Sequence, residues 1–497
     1  MFEGRNIARA IEDNASRRGL HPAIIEDGKT ITYAELDRRV RKTADYLKAC
    51  GAADNSAGDT IVGVCLRDTA EHLVLLFAVA RLGAVILPLD WRWTDVEKQN
   101  IVDFFEVGTV IVDAGAAVEN VSCIELDDAW HAGVNEQPGE MPCASGGSRP
   151  VVLSLSSGTT GRPKGPMLTH DQFTARFVMQ WVTLGFNQHD RYLSATPIYF
   201  GGGRSFTMGC LFTGSTVIMF APPYKPEELI KAVADYRATT LLLVPTLLRQ
   251  LLQLPQKSLG EDRPLLGGLN RLLSTGAILQ PDERAAVMKT LNPEFINYYG
   301  STEGGGTSVL LPKHQGNAAS SVGEAIYQTQ IEVVDDNGKT LPTGEPGLIR
   351  YRSQGVSDSF YRDAEASAEA FRDGWFYPGD IGKLDEEGLL YLVGRSKDVI
   401  IRGGVNIYPA EVEQVLLRHS AVTDAVAVAW PHPARGEDVA VFVVLHEPVD
   451  EEMLEAHCKE HLAPYKVPKG IFFIEELPKT GLGKVKKNEL IEKLPVQ

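Results

Sequence analysis

Between Thr60 and Leu89 the chain reads strand, helix, strand, all three apolar, and this run limits the possible folds more than any other feature. Thr60-Ile-Val-Gly-Val-Cys-Leu66 has the pattern of a strand buried on both faces. Thr69 to Leu82 is long enough for a helix and stops at Gly83, and Ala84-Val-Ile-Leu-Pro-Leu89 is the next strand. Two strands joined through a helix lie parallel, so the unit dictates a parallel sheet covered by helices. The residues before it suit the same layout. Ile7 to Arg17 is amphipathic, Ala23–Glu26 and Lys29–Tyr33 form a hairpin at Asp27-Gly28, and Leu36, Val40, Ala44 and Leu47 space a helix from Tyr33 to Cys50.

Glu136 to Pro150, rich in Gly, Pro and Ser, is expected to be a surface linker. A second α/β unit follows, with strands at Thr216–Phe220, Thr240–Val244 and Leu272-Leu273 and helices between them, such as Pro226 to Tyr236. From about Val322 the strands become short (Gln330–Val334, Gly347–Arg352, Leu389–Val393) and a turn falls at Asp336-Asn337-Gly338, which reads as a small antiparallel β region. After Arg395 comes a compact βα unit with a strand at Asp424–Trp430. The expected fold class is therefore α/β. A large N-terminal domain over 1–395 holds two α/β subdomains and the antiparallel region, and a small α+β C-terminal domain covers 396–497.

At 497 residues and 44% hydrophobic, the chain can bury several cores. A net charge of −16 argues against nucleic acid or an anionic membrane as the main partner. Basic residues are nonetheless local: Lys466, Lys469, Lys479, Lys484, Lys486, Lys487 and Lys493 crowd the last part, and a solvated helix accounts for Lys487 and Lys493. Six cysteines without C-x-x-C spacing suggest reduced thiols and a cytoplasmic location. His457 and His461 stand one helical turn apart, but lack a third ligand and are expected on an exposed helix face. No segment approaches the roughly 20 apolar residues needed to span a bilayer, and no apolar signal core follows Met1.

The strand-like Val151-Val152-Leu153 runs into Ser154-Leu-Ser-Ser-Gly-Thr-Thr-Gly-Arg-Pro-Lys-Gly165. Glycines there let backbone N–H groups close on an anion, and the hydroxyls of Ser156, Ser157, Thr159 and Thr160 together with Arg162 and Lys164 suit polyphosphate. The order is not that of the P-loop, whose lysine is followed by Ser or Thr.

This string resembles the phosphate loop of the adenylate-forming superfamily: acyl-CoA synthetases, adenylation domains of peptide synthetases, and luciferases. Four further segments are similar to that family's motifs and come in its order. They are Tyr299-Gly-Ser-Thr-Glu303, Tyr377-Pro-Gly-Asp380, Gly394-Arg-Ser-Lys-Asp398 continuing into Gly403-Gly-Val-Asn-Ile-Tyr-Pro, and Pro478-Lys-Thr-Gly-Leu-Gly-Lys484. The resemblance is closest to an acyl-CoA synthetase. It implies a carboxylic acid, ATP with Mg2+, and CoA as reactants. An acyl-adenylate forms with loss of pyrophosphate, and a thiolate then displaces AMP.

The resemblance also implies roles. Ser156, Ser157, Gly158, Thr159, Thr160, Gly161 and Lys164 would hold the β- and γ-phosphates. Thr302 would touch the α-phosphate and Glu303 would bind magnesium. Gly276 and Ala277 would lie flat on one adenine face, with Tyr299 covering the other, and Gly300 would also belong to the ATP site. Asp380 would accept from both ribose hydroxyls, backed by Arg395. Lys484 would be the catalytic lysine of the first step, since an ammonium there offsets the repulsion between carboxylate and α-phosphate. Lys397 would be the hinge on which the C-terminal domain turns between half-reactions, and Gly403 and Gly404 would line the pantetheine tunnel. Taken without the resemblance, Gly276 also reads as a tight turn after a strand, and Glu303 as a carboxylate at a helix start.

Two departures from the family pattern bear on the reading. Pro378 stands where many relatives have Thr, which removes a hydroxyl but leaves Asp380. Pro197-Ile-Tyr-Phe200 replaces P-L-F-H, so an aromatic gate can stay while a titrating histidine cannot. Phe200, Gly201, Gly202 and Gly305 are expected to wall a roomy, uncharged acyl pocket suited to a fatty or aromatic acid. Arg204 either pairs with a second carboxylate or takes the solvated or backbone-capping role usual for arginine. An acid–CoA ligase, an enzyme loading a carrier protein in trans, a luciferase-like oxygenase and a silent adenylate-binding protein all remain open at this stage, as a monomer or homodimer.

Overall fold

A computed structural model describes residues 4–52, 60–155, 164–254, 264–277, 279–318, 320–402, 405–432, 436–479 and 485–495. The chain divides into two compact units, one of residues 1–330 and 351–376, the other of 331–350 and 377–497.

The larger unit contains two sheets with parallel centres. In one, the strands Ser122–Leu126, Thr109–Asp113, Ile61–Cys65, Val85–Pro88 and Pro150–Leu153 run parallel, and Met167–Thr169 closes the edge antiparallel. In the other, Phe295–Ser301, Arg271–Ser274, Thr240–Leu243, Arg191–Ser194, Thr216–Met219 and Pro22–Glu26 are parallel neighbours. Its edges are the antiparallel strands Lys29–Thr32 and Gly305–Leu310, the latter carrying Glu324-Ala325.

The helix Ala70–Leu82 explains why both sheets belong to one body. Every residue in it but Glu71 is buried. Its apolar side chains share a core with Ile24 and Val217 of one sheet and Val62, Ile86 and Val152 of the other. A helix apolar all round has no solvent face to offer and must be enclosed. Its ends follow the usual chemistry: the Thr69 hydroxyl accepts from the His72 N–H, and Gly83 takes a left-handed conformation at φ 76°. Thr32 and Thr169 cap the helices Tyr33–Ala49 and His170–Leu184 in the same way.

Residues 137–149 contain no helix or strand, as expected of a linker, but they are tied down. The Asp45 carboxylate accepts from the N–H groups of Gly139, Glu140 and Met141, and Arg81 donates to the Met141 carbonyl.

In the smaller unit, Asp380–Leu384 and Leu390–Arg395 form an antiparallel hairpin. A second sheet joins Val405–Ile407, Ile400–Arg402, Gly436–Leu445, Val422–His432 and Gly470–Phe473. The helices Pro409–Leu417 and Glu451–His461 cover one face through Val412, Leu416, Leu454 and Cys458.

Candidate active site

Ligands of open parallel sheets bind outside the carboxyl ends of the strands, where exit loops diverge. Here the exits of four adjacent parallel strands carry several of the residues singled out from the sequence. Arg191–Ser194 leads to Pro197–Phe200, Thr240–Leu243 to Val244, Arg271–Ser274 to Gly276 and Ala277, and Phe295–Ser301 to Thr302 and Glu303. The exits converge. A Cβ built on Gly201 would lie 3.9 Å from Oγ1 and Cγ2 of Thr302, and one on Gly202 would lie 3.9 Å from Leu242 Cδ2 and Thr275 Cγ2. Gly276 turns at φ 98°, so the tight-turn reading holds, and Gly276 and Ala277 are exposed.

At the first two glycines after Phe200 a side chain would meet only ordinary contacts, and both sit in a helix rather than a loose loop. Gly201–Thr213 is helical, with Phe200 as its N-cap residue. Gly203 faces the other way: a side chain there would meet the Pro197 carbonyl at 2.2 Å.

Pro197–Phe200 is gripped from several sides. The Ile198 N–H donates to Asp68 Oδ1 at 3.0 Å. Arg92, paired with Asp90 at 2.7 Å, sits 5.2 Å over the Tyr199 ring. Arg204 donates to the Ile198 and Tyr199 carbonyls and to the Ser154 hydroxyl. Arg204 is therefore a backbone-capping arginine, buried rather than solvated, and joins this segment to the strand end that opens the phosphate loop. Burial holds its guanidinium down at about 9. Burial also pushes the Asp68 carboxyl up to about 7, with the Asp90 charge adding and the Ile198 N–H and Arg92 opposing. The neighbouring His72 is held at about 4 by burial and donates Nδ1–H to the Arg67 carbonyl.

Tyr299-Gly-Ser-Thr-Glu303 ends a strand and turns into Gly305–Leu310, so Glu303 does not start a helix. Gly300 has to be glycine, because a Cβ there would lie 2.2 Å from the Gly305 carbonyl oxygen. The Ser301 hydroxyl accepts from the Gly304 N–H at 2.9 Å. Arg176, from the helix His170–Leu184, is buried and donates to the Thr302 and Glu303 carbonyls. Glu303 is half-buried, and its carboxylate makes no hydrogen bond or ion pair with a described residue.

Gly305 differs from the pocket wall expected of it. It has φ 71°, and a Cβ would lie 2.9 Å from Nε of Arg176. Gly304 and Gly306 would each drive a Cβ to 1.9 Å from a tyrosine hydroxyl, that of Tyr351 or Tyr298. The glycine run admits close neighbours; it does not open space.

Lys164 lies 5.4 Å over the Phe360 ring, and the chain around it is held by the Tyr361 N–H to Gly165 carbonyl bond at 2.8 Å. Ser156, Ser157, Gly158, Thr159, Thr160, Gly161, Gly403, Gly404 and Lys484 lie outside the described residues.

In the smaller unit, Asp380 pairs in register with Arg395, whose Nε donates to its carboxylate at 2.9 Å. Ser396 gives both its N–H and its hydroxyl to the Gly379 carbonyl. Lys397 occupies the short 3-10 turn Ser396–Asp398. Lys487, expected in solvent, instead lies 3.2 Å from Asp398 and 3.6 Å from Glu413. Glu413 accepts from the Ala427 N–H, and burial raises its carboxyl above the usual range. Lys493 is exposed as expected. His457 is spent on the Val415 carbonyl, and no metal-binding cluster of three or more His, Cys, Asp or Glu occurs among the described residues.

Sequence reasoning missed Arg176 and Asp68 and misread Lys487. Arg176 alone left a trace: it lies among Phe173, Phe177 and Gln180 on the buried face of its helix.

Two family models match the chain, "AMP-binding enzyme" over residues 11–361 and "AMP-binding enzyme C-terminal domain" over 411–484. A feruloyl-CoA synthase of Amycolatopsis sp. is 33% identical over 491 residues, covering 94% of this chain and 95% of that protein. ATP-bound MatB of Rhodopseudomonas palustris superposes with a TM-score of 0.90 at 28% identity, covering 98% of each chain. The o-succinylbenzoate CoA synthetase MenE of Bacillus subtilis, in complex with its acyl-adenylate intermediate, superposes with a TM-score of 0.88 at 26% identity over 100% of each chain. The five motifs, the converging strand exits and these matches lead to one conclusion: the chain belongs to the AMP-binding, adenylate-forming enzyme family.

Proposed function

We propose that this chain, an AMP-forming acid–CoA ligase, activates a bulky apolar acid of the aromatic or fatty class. One observation carries the reading: the Thr302 side chain lies 3.9 Å from where a Cβ on Gly201 would stand, and Gly202 abuts Thr275 beside the Gly276 turn. A carboxylate entering over Gly201 and Gly202 would then reach an α-phosphate held at Thr302. The carboxylate oxygen attacks α-phosphorus and pyrophosphate leaves. The thiolate of CoA then attacks the acyl carbon, and AMP leaves.

Glu303 fits magnesium by its chemistry. It is a hard oxygen donor not committed to a described residue, and one carboxylate with phosphate oxygens and water is a usual magnesium shell. The ion, when bound, would neutralise charge on the phosphates. Ser156 to Gly161 and Lys164 would cradle those phosphates. Ala277 and Tyr299 would enclose adenine, and Asp380 with Arg395 would hold the ribose. Lys484 would stabilise the first transition state, and Lys397 would be the hinge of a C-terminal domain over 396–497. Gly403 and Gly404 would line the thiol path. The relative that carries feruloyl in its name supports an aromatic acid, as does the absence of acidic residues from Phe200–Gly203. Six free cysteines support a cytoplasmic location, as a monomer or homodimer. No helix of the described residues is long and apolar enough to cross a membrane.

The test is pyrophosphate release over a panel of carboxylic acids, each with CoA, with a carrier protein, and without thiol. The reading expects aromatic or long-chain acids to lead and CoA to be consumed. Dependence on the carrier alone would make the chain a carrier-loading enzyme. No release with any acid would leave a silent adenylate-binding protein.

A further inference from the structure

We propose that Arg176 is the positioning residue for the ATP–magnesium end of the site, fixing the turn that presents Thr302 and Glu303. The proposal rests on the roles given to those two residues above.

Arg176 is 7% exposed and no carboxylate lies within ion-pair reach of it among the described residues. Its planar fork is committed to backbone carbonyls instead. Nε donates to Gly355 at 2.7 Å, Nη1 to Thr302 at 3.1 Å and Nη2 to Glu303 at 2.6 Å. The Ser357 N–H donates to the same Glu303 carbonyl at 3.0 Å. A desolvated cation is costly unless its donors are satisfied, and charge-assisted bonds to carbonyls satisfy them. Burial still lowers its pKa to about 10, against the pull of Tyr351, Tyr298 and Glu303.

The sequence around it is cut to admit the guanidinium. A Cβ on Gly305 would lie 2.9 Å from Nε, and one on Gly355 would lie 3.0 Å from Cγ. Gly305 also needs its positive φ of 71°, which a side chain resists. Two glycines thus clear the way for one arginine, and that arginine draws two successive carbonyls, Thr302 and Glu303, toward itself. With both carbonyls fixed, the Thr302 hydroxyl is held on the Gly201 side. Such support of a ligand residue from behind is what outer partners of metal sites supply, and losing it typically lowers metal affinity about 10–100-fold.

Three variants test the idea in the full-length protein. Arg176→Lys keeps the charge but loses the fork. Arg176→Met removes the charge. Gly305→Ala keeps the arginine and forces a Cβ against it. For each, ATP binding is measured by calorimetry over a magnesium series with no acid present, together with melting temperature and pyrophosphate release. The expected result is a rise of at least about tenfold in the magnesium needed for half-maximal ATP binding in all three. Thioester formation from supplied acyl-adenylate should stay close to wild type. An unchanged magnesium dependence in folded Arg176→Lys and Gly305→Ala overturns the proposal, as does a fall in melting temperature with no such shift. If wild type itself releases no pyrophosphate with any acid, it is the functional reading that fails. If Glu303→Gln leaves the magnesium dependence as it is, the role of Glu303 fails, and this proposal with it.

Discussion

Replacing Asp68 with asparagine should remove a pH dependence from the stability of the larger unit. Asp68 Oδ1 accepts the Ile198 N–H, and its surroundings are the buried His72 from its own helix turn, Asp90, and Arg92 paired with Asp90. Burial places its carboxyl at about 7, against 3.8 for the free side chain. Between those values the native state holds a proton that the unfolded chain has lost. Stability from this group is therefore present in full at the acid end and disappears as pH rises through 7, the opposite of a salt-bridged carboxylate. Linkage over about pH 5 to 8 gives a loss of about 2–3 kcal/mol. Asparagine copies the shape of the protonated carboxyl, can still accept from Ile198, and does not ionise. His72, at about 4, stays neutral throughout that window. Urea titrations of wild type and Asp68→Asn at several pH values, followed by tryptophan fluorescence, give the difference directly, and groups elsewhere cancel. The excess of the variant over wild type should grow by about 2–3 kcal/mol between pH 5 and pH 8. A difference constant with pH would show that the carboxyl titrates in the ordinary range and refute the argument.

Lys484→Ala should slow acyl-adenylate formation by about 10²–10³ while sparing thioester formation from supplied acyl-adenylate, as expected for loss of one electrostatic donor; equal damage to both steps counts against it. Lys397→Pro should do the reverse, because proline fixes φ where a hinge must turn; single-turnover assays of each half-reaction separate the two outcomes. Gly202→Trp should shift preference from bulky to short acids with ATP affinity little changed, since apolar contact worth about 25 cal/mol per Å² is what a filled pocket denies large acids. A size series of acids checks it, and an unchanged order with weaker ATP binding would assign Gly202 to the nucleotide side.

The periodic parts of the fold were legible. Helix Tyr33–Ala49, helix Ala70–Leu82 and the strands on either side of the latter fall within a few residues of the pattern reading, because burial on one or both faces writes a period into the sequence. The glycines were legible as special but not in their purpose. Gly202 meets only ordinary contacts and Gly305 receives an arginine, and no local pattern tells these apart, because the neighbour that decides lies at Arg176, far along the chain. Lys487 was misread for the same reason. A lysine in a basic run looks solvated until the fold brings Asp398 and Glu413 beside it.

That lysine has a mechanical consequence. On one side of Lys397, Ser396 is fastened twice to Gly379. On the other, Asp398 is fastened through Lys487 to Glu413 on the helix Pro409–Leu417, and Lys487 stands three residues beyond Lys484. A single residue thus separates two stretches that are each tied to a neighbour. With Lys397 as the proposed hinge, a rotation there would carry Asp398, Lys487 and Glu413 together, as a crank turns its handle.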